Sequence, residues 1–69
     1  MIEIFKTDVS DQHSAGQIIQ KLYDLFPHCR INFDLSDDDN ILRVEGHHFP
    51  IEDIREFVMR EGHFCELLS

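Results

Sequence analysis

Residues 29–46 read CRINFDLSDDDNILRVEG. Cys29, Ile31, Phe33 and Leu35 alternate with Arg30, Asn32 and Asp34. A strict period of two gives a strand with one buried and one wet face. The next residues, SDDDN at 36–40, carry turn chemistry, because Asp and Asn tolerate left-handed backbone and bond to their own main chain. Leu42 and Val44 then alternate with Arg43 and Glu45, so a second strand pairs back on the first.

The flanks are arranged symmetrically about this hairpin. Upstream, residues 2–9 (IEIFKTDV) are β-branched and aromatic and predict a strand, with Ile2 and Ile4 on one face and Phe5 and Val9 on the other. Residues 10–13 (SDQH) are a polar break, and Ser14 with Gln17 forms a capping-box pattern. Ala15, Ile18, Ile19, Leu22, Leu25 and Phe26 then recur at helical spacing up to Pro27, which ends the helix. Downstream, Pro50 suits a first helical turn, Glu52 and Asp53 suit its positive end, and Ile51, Ile54, Phe57 and Val58 form the apolar stripe. Arg60 closes that helix, with Gly62 available as a left-handed cap. A last strand follows in residues 63–68 (HFCELL), with Cys65 and Leu67 on one face.

The order is βαββαβ, the ferredoxin-like arrangement: an α+β sandwich of four antiparallel strands with two helices on one face. One domain accounts for residues 1–69, and a chain this short buries only about 60% of its unfolded surface. Arg30, Asn32, Asp34, Arg43 and Glu45 are expected on the uncovered face, where opposite charges on neighbouring strands can pair. Strands two and four form the sheet edges, flanked by Asn32, Asp34 and Glu66, polar residues that discourage edge pairing.

Fourteen acids against six bases give a net charge of −8. Such a field repels phosphate backbones and anionic membranes and favours basic protein partners or cations. The exposed positions of the middle strands also lack the aromatics on which RNA bases stack. No apolar run approaches the roughly 20 residues of a membrane span, and MIEIFKTDV does not read as a signal peptide. A cytoplasmic location follows, in which Cys29 and Cys65 stay reduced.

With that pattern in place, the chain resembles the heavy-metal-associated domains of copper chaperones and metal-transporting ATPases. INFDLSDDDNILRVEG (residues 31–46) is similar to the family's second and third strands. IEDIREFVMREGHFCELL (residues 51–68) is similar to its second helix, the helix-ending glycine plus aromatic, and the last strand. The resemblance implies this scaffold and, in the family, a soft-metal site made by MxCxxC in the first loop. Setting Leu22 on the family's first-helix leucine places Val9 at the methionine and Asp11 and Ser14 at the two cysteines. The loop reads VSDQHS, so neither metal-binding cysteine carries over.

Other chemistry is sparse. Alternating strand directions put Asp11 and His13, the Asp37–Asp38–Asp39 run, and Glu61 with His63 at one end of the fold. Pro27, His28, His47 and His48 gather at the other. Asp11, His13 and His63 are candidates for a hard or borderline divalent ion, and His28, His47 and His48 for a borderline one. The acidic turn lacks calcium-loop spacing, so solvated turn charge is its plainer reading. A buried, inert thiol is likewise the plainer reading of Cys65. No nucleophile has a patterned base, and the three glycines, Gly16, Gly46 and Gly62, make no phosphate loop. No cofactor and no enzymatic reaction are expected. The residues point to a protein-binding or regulatory domain, with an Asp/His metal carrier or sensor as the alternative.

Overall fold

The computed structural model describes residues 1–36 and 38–68. Its elements are β1 (Ile2–Thr7), α1 (Gln12–Leu25), β2 (Arg30–Asp34), β3 (Ile41–Glu45), α2 (Ile51–Arg60) and β4 (Cys65–Leu67). The strands form one antiparallel sheet in the order β2-β3-β1-β4, the ferredoxin-like order. Ile31 pairs with Val44 and Phe33 with Leu42, the register that the alternation requires.

The strand faces separate, except that Glu3 shares the covered face with its register partner Val44. Phe5, Thr7, Ile31, Leu42, Val44 and Cys65 are buried beneath the helices, together with Ala15, Ile18 and Leu22 of α1 and Ile54 and Val58 of α2. Phe5 therefore settles which face of β1 points inward, and Ile2 and Ile4 lie on the opposite side. Phe49, in the link before α2, and Cys29, just before β2, complete this core. No helix among the described residues is long and apolar enough to cross a membrane.

Three local expectations are corrected. β1 stops at Thr7 rather than reaching Val9, because the Thr7 hydroxyl accepts the Val9 N–H at 3.1 Å and turns the chain. Val9 is nevertheless fully buried. The α1 cap is Asp11 rather than Ser14: the Asp11 carboxylate accepts the Ser14 N–H at 2.9 Å, and the helix begins one residue after Asp11. Leu25, placed in the apolar stripe, is 56% exposed because α1 ends there and the chain turns away through Pro27. At the far end of α2, Gly62 takes φ 92°, the left-handed conformation expected of it.

Candidate functional site

The end of the fold where β1 runs out is built around two consecutive residues. Thr7, 4% exposed, donates its hydroxyl hydrogen to the Asn40 carbonyl at 2.7 Å, and its own N–H bonds the Asp39 carbonyl at 3.2 Å. Asn40 adopts φ 46°, a left-handed backbone that Asn tolerates. The hairpin between β2 and β3 is thereby fastened to β1. Asp8, the next residue, reaches the other way. Its Oδ1 accepts the Phe64 N–H at 3.0 Å and lies 3.0 Å from His63 Nδ1, tying the start of β4 to the end of β1.

The predicted ligands at this end fall around that frame. Asp11 is held in its capping role, and the Ser14 backbone N–H, followed by the Ser14 side chain, holds its carboxyl below the usual range. His13 lies exposed in the first turn of α1. His63 is engaged by Asp8 rather than brought together with Asp11 and His13. Lys6 stands 3.6 Å from Asp39, and Lys21 bonds Glu61 at 2.7 Å. Asp37 lies outside the described residues. Val9 is packed in the core.

At the opposite end, His28 Nε2 lies 3.3 Å from the His48 carbonyl oxygen, which accepts its hydrogen when that nitrogen carries the proton. This contact joins the α1–β2 link to the β3–α2 link through a backbone atom, not through a second imidazole. His47 and His48 are exposed, and a depression of about 290 Å³ is lined by Met1, His28, Arg30, Glu45, Gly46 and His47. Among the described residues, no three His, Cys, Asp or Glu side chains are arranged to hold a metal ion. Cys29 and Cys65 are buried free thiols. Burial raises both, Cys65 to about 11, so neither supplies a thiolate at neutral pH.

The uncovered sheet face carries Arg30, Asn32, Asp34, Arg43 and Glu45 as expected, joined by Lys6 and Glu66. A depression of about 370 Å³ there is lined by Tyr23, Arg30, Ile31, Asn32, Arg43 and Glu45.

Thr7, Asp8 and Tyr23 are the organising residues that sequence reading passes over. Asp8 and His63 are separated by 55 positions, so no local pattern joins them. Only the ferredoxin-like order itself, which sets β1 beside β4, brings them together. No protein-family model matches the chain, and neither a curated protein nor a solved structure matches it.

Proposed function

We propose that this chain is a cytoplasmic protein-binding or regulatory domain on a heavy-metal-associated-like scaffold, without the thiolate site. Its acidic loop end receives a basic segment of a partner protein. The observation that carries this reading is the use made of Asp8, Asp11 and His63. Asp8 fastens the start of β4 and His63, and Asp11 caps α1. The groups best placed to ligate an ion therefore hold the backbone. What they still present outward is negative potential, shared with the acidic hairpin and reinforced by the net charge of −8.

The same charge disfavours nucleic acid and anionic membrane as partners. Two buried, unlinked thiols suit a reducing compartment. The depressions on the sheet face, beside Met1 and His28, and along Arg55, Glu56, Met59 and Arg60 are open to solvent, poor settings for catalysis, which depends on excluding water. The domain therefore acts by association rather than as an enzyme.

Titration of ¹⁵N-labelled protein with Zn(II), Ni(II) or Co(II) tests this against an Asp/His carrier or sensor. Weak, unsaturable broadening is expected. A saturable, stoichiometric set of shifts at residues 11–14 and His63, or at His28, His47 and His48, would overturn it.

A further inference from the structure

The uncovered sheet face differs in charge from the rest of the chain. It carries Lys6, Arg30 and Arg43 against Asp34, Glu45 and Glu66, three of each sign. The face is therefore neutral, and the whole net charge of −8 belongs to the remaining residues. Within the face, Lys6 turns to Asp39, and Asp34 accepts from Ser36. Arg30, Arg43, Glu45 and Glu66 make no ion pair among the described residues. Two cations and two anions thus stand ready on one surface.

The same surface has an apolar strip. Ile2 is 52% exposed and Ile4 is half-buried beside it on β1. Leu68, just past β4, is 48% exposed and bonds the Ile4 carbonyl through its N–H at 2.8 Å. Across the sheet Arg43 is the register partner of Ile4, and Glu45 of Ile2. The strip is therefore bordered by Arg43 and Glu45, neither of which is in an ion pair among the described residues.

We propose that this face stacks on the same face of a second copy. In the twofold pair, whose axis crosses the strands between the level of Ile2 and Glu45 and the level of Ile4 and Arg43, Arg43 of each copy meets Glu45 of the other and Ile4 covers Ile2. A uniformly basic or acidic partner gains little from a face with equal numbers of both signs. A copy of this chain offers the same two signs and the same apolar strip, which is the self-complementarity an isologous contact needs. The neutral face is also where two molecules of charge −8 approach at least electrostatic cost. Four strands about 4.8 Å apart and about 17 Å long give a flat area on the order of 330 Å². That is well under the roughly 800 Å² per partner of a tight complex, so the pair is a weak, transient one.

Sedimentation velocity of the full chain from roughly 10 μM to roughly 1 mM reads this directly. A concentration-dependent monomer–dimer equilibrium is expected. Arg43→Glu and Glu45→Arg should each weaken it about tenfold or more, with circular dichroism unchanged, and their equimolar mixture should recover association. A protein that stays monomeric throughout would overturn the proposal. So would folded variants that still dimerise, or a mixture that does not recover. Neither substitution lies at the acidic loop end, so failure here leaves the reading of that end intact.

Discussion

The Tyr23 hydroxyl oxygen accepts the Ile31 N–H at 3.0 Å and stands 3.5 Å from the Ile31 carbonyl oxygen. A side chain of α1 therefore occupies the outer edge of β2, where an unpaired strand would otherwise offer its backbone to another chain. The polar residues Asn32 and Asp34 were the expected guard of that edge; the blocking group is an aromatic from the helix. Tyr23→Phe should lower the urea-unfolding free energy by about 1 kcal/mol, since one partly buried hydrogen bond is lost. An unchanged unfolding midpoint would show that the contact contributes nothing.

Thr7 joins the hairpin turn to the end of β1 through its hydroxyl as well as its N–H. Thr7→Val keeps the volume but leaves the Val9 N–H and the Asn40 carbonyl without their partner. A loss of about 2 kcal/mol is expected in equilibrium unfolding, with Thr7→Ser recovering most of it. Equal losses in the two variants would place the effect in packing rather than in the hydroxyl.

The reach of the sequence is clearest in these two residues. The hairpin was legible because Ile31, Phe33, Leu42 and Val44 alternate without interruption, and the second helix because Pro50 and Gly62 bracket a clear apolar stripe. The start of α1 was not, because two capping patterns overlap there. Asp11 precedes Ser14 by three residues, just as Ser14 precedes Gln17. The choice falls to Asp11 because Thr7 ends β1 early and the helix can begin at Gln12. The Thr7–Asn40, Asp8–His63 and Tyr23–Ile31 contacts are not written in local pattern at all. Each joins residues from different elements, so it appears only once the elements are packed.

Acid should expose the capping role. The folded Asp11 carboxyl titrates below its ordinary value of 3.8, chiefly because the Ser14 N–H bonds the charged form. A depressed folded pKa gives stability that is present above the unfolded value and lost as pH falls through the folded one. Asp11→Asn retains an oxygen acceptor without the titration. Thermal unfolding followed from pH 7 to below about pH 4 should show the wild type losing more of its melting temperature than this variant. Asp11→Ala should melt on the order of 5 °C lower at neutral pH. Parallel acid curves for wild type and Asp11→Asn would contradict the assignment.

Alkali should expose Cys65. Burial moves its thiol from 9.0 to about 11, so between those values the folded state holds a proton that the unfolded state releases. Stability must then fall as pH rises from about 9 toward 11. Cys65→Ala removes this contribution, so its unfolding free energy should decline less steeply over that interval than that of the wild type. Thiol labelling at pH 8 should meanwhile be slow in the native protein and complete in denaturant. Rapid native labelling would show that Cys65 is not the inert core residue its burial indicates.

The loop end built on Asp8, Asp11 and the acidic hairpin is proposed as a surface for a basic partner. Its most direct test is a ¹H–¹⁵N titration of the labelled chain with a short Lys/Arg peptide. Saturable shifts are expected at residues 8–13, 38–40 and 61–64, with affinity falling about tenfold from roughly 20 to roughly 200 mM salt as the charges are screened. Shifts scattered evenly over the molecule, or centred on the uncovered sheet face, would contradict it.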